Sequence, residues 1–341
     1  MPLFLHTLSL KLLRLKNSAI AILFVAFLLI LSTLAYWLEP ETFESWFNAL
    51  YWVMTTMATV GYGDYFAHTF AGKVLTLFIY VFGIGLLSLI IGKIIDSVSQ
   101  YHRQRRAGKL TYSGKQHVIF INWSKKARYA VDELLTISPA THIVIIDAID
   151  QHPYEHHNVH FVSGDPSSSD ILERAGIASA KAAIIFADYR IDESSLVDGK
   201  SLLIASSIES IAPQVHTTVE IMLEKHIHNF KHVKVNEFVL SHDAVARLAV
   251  RSALNDGSVE IFTQLLSRQH GADVFPIPVA PEWKTYEDAF LSLLRQGATL
   301  ISDRGDMSIN TKLNAPIPAN AKLFVVCDVD VYQTITKGVR A

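Results

Sequence analysis

The sequence predicts a membrane α-helical module, two spans with a shorter re-entrant helix between them, followed by a doubly wound α/β domain and a small α+β C-terminal lobe. Three observations predict it. Residues 18–38 are apolar and uncharged. Residues 70–98 form a second apolar run, whose only charges, Lys73, Lys93 and Asp96, sit towards its ends. Beyond residue 115, short β-branched runs alternate with stretches of helical period. Bulk composition constrains less. The 341 residues leave room for two domains, and a formal net charge of −2 gives no basis for a nucleic-acid partner. Cys327 is the single cysteine, which excludes a disulfide within the chain and fits a cytosolic C-terminal part.

A helix over 18–38 covers the roughly 30 Å hydrocarbon core of a bilayer. A leader peptide has a shorter apolar region, and no small-residue cleavage site follows Tyr36-Trp37-Leu38-Glu39-Pro40, so the segment is expected to stay as a span. The second run, longer, is expected to pass beyond the membrane face. Lys11, Arg14 and Lys16 precede the first span, and Arg103, Arg105, Arg106 and Lys109 follow the second. The loop between carries Glu39, Glu41, Glu44 and Asp64. By the positive-inside bias both termini (1–17 at the start) are cytoplasmic, in a multi-pass protein of the cell membrane whose surroundings are the lipid bilayer.

Residues 43–57 are too short to cross and rich in aromatics, and they read as a re-entrant half-helix. Non-helical backbone at membrane depth is tolerated where protein buries it or where it lines water. The next residues, Thr59-Val60-Gly61-Tyr62-Gly63-Asp64, have a use for that position. A dehydrated potassium ion needs oxygens in place of its water shell, and stacked rings of backbone carbonyls supply them. Gly61 and Gly63 permit the backbone angles that aim such carbonyls at one axis. Thr59 adds a hydroxyl at the inner end, while Val60 and Tyr62 point away, where Tyr62 is expected to pack on half-helix aromatics such as Trp52. One chain supplies one strip, so the ring requires a homotetramer. Asp96 would set four carboxylates round the cytoplasmic mouth.

Residues 18–98 therefore resemble the pore module of two-span potassium channels: outer span 18–38, pore helix 43–57, filter 59–64, inner span 70–98. Many members have Thr before the first filter threonine, where this chain has Ala58. The resemblance makes Gly83, with Gly85, the gating hinge; the alternative is close helix packing at these glycines.

A linker is expected over 99–115. Strands at 117–121, 141–147, 159–162, 182–186, 215–221 and 235–239, with helices between, then predict a largely parallel sheet. At the first strand-to-helix turn a dinucleotide-binding fold shows G-x-G-x-x-G, whereas this chain has Asn122-Trp123-Ser124-Lys125-Lys126-Ala127. Without the glycines NAD has no usual pose there, although Asp147 stands where a ribose-binding acid would. The stretch from Val162-Ser163-Gly164-Asp165-Pro166 through Ile185, with the Asn122 turn and Glu220, resembles the RCK (TrkA-N/TrkA-C type) regulatory domain, a Rossmann-like fold. The implied layout is an N-lobe at 116–240, a helical dimerisation segment at 241–270 and a C-lobe at 271–341. Such domains assemble a gating ring, with the source of any additional subunits open.

As a whole the chain is similar to prokaryotic two-span, calcium-gated RCK channels, so it is expected to pass K+ under a ligand's control and to catalyse nothing. Two regulators are open: calcium at Glu220 with Asp188, and a nucleotide at Asn122, Trp123, Ser124, Asp147 and Asp165. In calcium-gated relatives two glutamates flank one residue of the fifth strand, but here Met222 replaces the second. His152, His156, His157 and His160 read as a solvated loop. Two other classes compete: a membrane-anchored NAD-dependent oxidoreductase, disfavoured by the missing glycines, and a non-selective cation channel, disfavoured by Tyr62.

Overall fold

The computed structural model describes residues 17–266 and 271–340, and the chain divides into two units, residues 1–104 and 105–341. Lys11, Arg14 and Lys16, part of the charge bias above, lie outside the described residues.

In the first unit, α1 (Asn17–Leu38) and α3 (Phe70–Arg106) are long and apolar enough to cross a bilayer. Between them lies α2 (Trp46–Met57). The pore helix expected from residue 43 thus starts later. A single turn, Pro40–Phe43, ends at Glu44, whose φ of 57° reverses the chain. The Ser45 hydroxyl then accepts the Asn48 N–H at 3.2 Å and caps a new helix. Leu31, Ala35, Phe43, Ala49, Trp52, Val53, Met57, Leu75 and Ile79 form the core of this unit. Ile22, Val25, Ile30 and Trp37 of α1 are exposed, as a lipid-facing surface requires.

α3 contains one π-helical turn, Ile79–Gly83, and continues to Arg106. Residues 99–106 of the expected linker are therefore helical. They hold no glycine or proline, and the helix stops only before Gly108, which takes the left-handed φ of 61°.

The second unit begins with a six-stranded parallel sheet: β1 (Val118–Ile121), β2 (Ile143–Asp147), β3 (Val159–Ser163), β4 (Ala182–Ile185), β5 (His216–Ile221) and β6 (Glu237–Leu240), in the order β3-β2-β1-β4-β5-β6. Helices α4 (Lys125–Ile137), α5 (Ser169–Arg174) and α6 (Ser194–Ile211) connect strands. A parallel sheet needs cover on both faces, and every residue of β1 and β2 is buried. Because β1 pairs with both β2 and β4, the strand order reverses there, which opens a crevice at the carboxyl ends of these strands. The segment expected at 241–270 forms α7 (Ser241–Leu254) and α8 (Ser258–Leu266), its last four residues lying outside those described. A three-stranded antiparallel sheet follows, β7 (Asp273–Ile277), β8 (Thr299–Asp303) and β9 (Leu323–Cys327), in the order β7-β9-β8. With α9 (Tyr286–Arg295) and α10 (Val329–Arg340) it encloses a core of its own, Cys327 included.

Candidate ion pathway and regulatory edge

The chain leaves α2 at Ala58, and φ is then positive at alternate residues: Thr59 (57°), Gly61 (52°) and Gly63 (82°). A left-handed residue at every second position turns successive carbonyls to the same side, as a strip of ion-facing oxygens requires. Glycine accepts this readily; Thr59 is held there by its N–H on the Thr56 carbonyl (3.1 Å), followed by the Val60 N–H on the Thr55 carbonyl (2.9 Å). Behind Tyr62 stands an aromatic of α2, though it is Tyr51 and not Trp52. Tyr62 stacks on Tyr51, with ring centres 6.4 Å apart and planes 2° from parallel. Trp52 instead packs on Phe43 at 5.0 Å, because the helix turns it towards the core. Trp52, Thr55, Thr56 and residues 61–67 line a cavity of about 460 Å³ beside this strip.

Glu39, which had counted in the sequence only as a loop charge, is 5% exposed. Its Oε1 accepts the His68 N–H (3.0 Å), the Thr69 N–H (2.7 Å) and the Thr69 hydroxyl (2.8 Å), and Oε2 accepts the Thr42 hydroxyl (3.0 Å). One carboxylate thereby ties the end of α1 to the start of α3, immediately beyond the filter.

Gly83 closes the π-helical turn, and a Cβ there would meet Met57 Cγ at 2.7 Å, so close packing is one reason for this glycine. Around Gly85 the space is open. Asp96 is exposed on α3.

In the second unit, residues 108–116 are pinned along the sheet's edge. The Gly108 carbonyl accepts the Ser163 N–H (2.9 Å) and Arg174 Nη2 (2.6 Å), and His160 Nε2 lies 3.0 Å from the Leu110 carbonyl. His117 Nε2 meets the Ala175 carbonyl at 3.0 Å, and Tyr112 lies edge-on to the His117 ring at 4.5 Å. His152 Nε2 reaches the Val159 carbonyl at 3.3 Å. Two of the four loop histidines are thus half-buried parts of this anchor.

Burial pushes the pKa of His117, His152 and His160 down, reinforced by His142 and His160 for His117, by Arg105 and His160 for His152, and by Arg105 and Arg174 for His160. The unfolded chain then binds protons that the folded chain refuses. The stability held by the neutral rings is complete above the unfolded value of about 6.5 and is lost progressively as pH falls towards the depressed folded values. The melting midpoint of the full chain in detergent is expected to fall between about pH 7 and pH 5, and His160→Gln to flatten that dependence.

At the crevice, Asn122 has a φ of 64° and its Nδ2 donates to the Phe186 carbonyl at 2.7 Å, while the buried Oδ1 has no partner among the described residues. Ser124 caps α4 through the Ala127 N–H at 3.2 Å. Asp147, 1% exposed, accepts the Trp123 N–H (2.9 Å), the Ala148 N–H (2.7 Å) and Arg190 Nη2 (2.7 Å). Arg190 also grips Asp188 through Nε at 2.7 Å, and Lys200 Nζ adds a contact at 2.7 Å. Burial pushes the Asp188 carboxyl up, but the two cations outweigh it and hold it well below the usual range. The acid expected for a ribose is thus met by an arginine of the same chain. Asp165 accepts the Ser167 N–H and hydroxyl within its own turn.

Glu220, 4% exposed, is held in the same manner. Oε2 accepts the Ala187 N–H at 3.0 Å; Oε1 accepts Lys126 Nζ (2.8 Å), the Tyr189 hydroxyl (2.8 Å) and the Ser241 hydroxyl. Burial raises the Glu220 carboxyl and these donors lower it further than burial raises it. Glu220 and Asp188, expected to share calcium, therefore each serve separate ammonium or guanidinium groups. Among the described residues no group of three or more His, Cys, Asp or Glu is placed to hold a metal ion. The pairing of Lys126 with Glu220 and of Arg190 with Asp147 went unnoticed in the sequence because nothing local links a lysine or arginine to an acid on another strand.

Residues 23–100 match the family model described as ion channel, and residues 95–219 match that of the calcium-activated potassium channel slowpoke-like RCK domain. The chain is similar to potassium channel YugO of Bacillus subtilis, with 26% identity across 83% of this chain and 86% of that one. It is also similar to the calcium-gated potassium channel TvoK of Thermoplasma volcanium, 28% identical across 77% of this chain and 78% of TvoK. Among solved structures the human SLO3 gating ring has a TM-score of 0.51 at 14% identity, covering 65% of this chain and 46% of that one, a likeness of fold.

Proposed function

We propose that this chain, a potassium-channel subunit in which an ion-channel pore module carries an RCK domain, works as one quarter of a potassium-selective pore. Four copies would surround one axis, each giving the strip from Thr59 to Asp64. Both termini would face the cytoplasm. The observation that carries this reading is the alternation of left-handed backbone at Thr59, Gly61 and Gly63, because oxygens on one side of a strip become rings only when four strips meet. The RCK domains would assemble a ring, and a ligand favouring one arrangement of that ring would shift the pore between closed and open by its difference in affinity for the two. The pull would reach α3 through residues 107–116, with the π-helical turn at Ile79–Gly83 as the place where α3 bends.

Purified protein in liposomes is expected to pass potassium far better than sodium. Equal fluxes of the two ions through the intact protein would overturn the reading.

A further inference from the structure

The relatives' names raise calcium as a regulator, and Glu220 is the buried acid that would bind it. With Lys126 in place, the residues round Glu220 do not fit a divalent ion. Calcium takes six to eight oxygens, several from carboxylates. Met222 stands where a second glutamate would be, and Asp188 is engaged by Arg190 and Lys200. At the point where oxygens converge sits the Lys126 ammonium: Glu220 Oε1 at 2.8 Å, Ser241 Oγ at 3.0 Å and the Tyr189 hydroxyl, whose ring centre lies 4.7 Å from Nζ. Those three oxygens come from the end of β5, the start of α7 and the loop after β4, and the lysine comes from the first turn of α4.

We propose that Lys126 is a tethered cation occupying the position on Glu220 that a divalent ion would otherwise take, and that it makes this edge of the domain insensitive to calcium. The charges already balance, one carboxylate against one ammonium, so an incoming divalent ion would face the lysine's charge at a few ångströms with no added acid to offset it. A lysine carried by the chain also competes for the carboxylate at an effective concentration that the fold sets and that does not fall with the salt in solution. The same contact joins α7 to the parallel sheet without help from solution. This inference rests on the RCK domain being the regulatory part, but its readout, thermal stability, is independent of potassium flux, so either can fail alone.

The test is the melting midpoint of the full chain in detergent, titrated with calcium chloride, for the wild type, Lys126→Ala, Glu220→Gln and the double variant. The wild type is expected not to shift up to millimolar calcium. Lys126→Ala, with its buried carboxylate uncompensated, should melt lower without calcium and recover by more than about 2 °C with it. The double variant should not respond. A calcium-dependent rise in the wild type that Glu220→Gln abolishes would overturn the proposal, as would a folded Lys126→Ala protein that calcium leaves unmoved. Lys126→Met, which keeps the aliphatic stem, takes the place of the alanine variant if that fails to fold. Should neither fold, the wild type and Glu220→Gln decide.

Discussion

Gly61→Ala is expected to lower the preference for potassium over sodium in reconstituted channels by at least tenfold, a loss of about 1.4 kcal/mol in discrimination. The cause is backbone conformation. Among the described residues of one chain nothing lies within 4 Å of a Cβ built on Gly61, so the substitution meets no clash within the subunit, but the φ of 52° is one that a residue with a Cβ holds at a cost of about 1–2 kcal/mol. In the proposed tetramer that strain would be repeated four times around one ring, and relaxing it would rotate a carbonyl off the axis. Tyr62 supplies the control. Its ring lies flat against Tyr51, so Tyr62→Phe keeps the stack and should keep most of the selectivity, whereas Tyr62→Ala removes the brace and should degrade it as Gly61→Ala does. Flux ratios read in the same vesicles decide; an undiminished preference in Gly61→Ala would show that this strip does not line the ion path.

Glu39→Ala should lower the stability of the pore module by about 2 kcal/mol, the range for buried donors that lose a charged acceptor. The N–H groups of His68 and Thr69 would be orphaned at the point where the chain passes from filter to α3. An independent variant approaches the same contact from the other side. A Cβ on Gly72 would come within 2.3 Å of Glu39 Oε1, so Gly72→Ala must expel the carboxylate. If both act through one contact, the double variant will be less destabilised than the sum of the singles. Melting of the detergent-solubilised channel measures all three. Additive losses would mean that Glu39 and Gly72 matter for separate reasons.

Much of the pore was legible in the residues. Span length follows from counting uncharged apolar positions, and left-handed backbone in the proposed filter could be anticipated because glycine at alternate positions permits it locally. The short aromatic helix was also visible, but not its first residue. Ser45 is a good cap, and a reversal at Glu44, a residue that rarely adopts positive φ, leaves no mark in composition. The second run was expected to pass beyond the membrane face, but how far was not visible: the helix continues through residues 99–106 and stops at Arg106, before Gly108.

The regulatory edge was legible only as an inventory. Glu220, Asp147 and Asp188 were found as strand-end or loop acids, yet the cations that Glu220 and Asp147 meet depended on strand order. Lys126 and Glu220 lie 94 residues apart, and Arg190 and Asp147 lie 43 apart. The placement of β4 between β1 and β5 brings each pair together.

By itself the sequence determined two long apolar helices, a shorter helix between them and a βα-alternating domain behind, since each rests on hydrophobic length or period within a few residues. The tertiary structure alone decided what the buried acids do. A carboxylate removed from water takes whichever donors the fold carries to it: for Asp147, Asp188 and Glu220 these include a lysine or an arginine of the same chain, and for Glu39 they are N–H groups and hydroxyls.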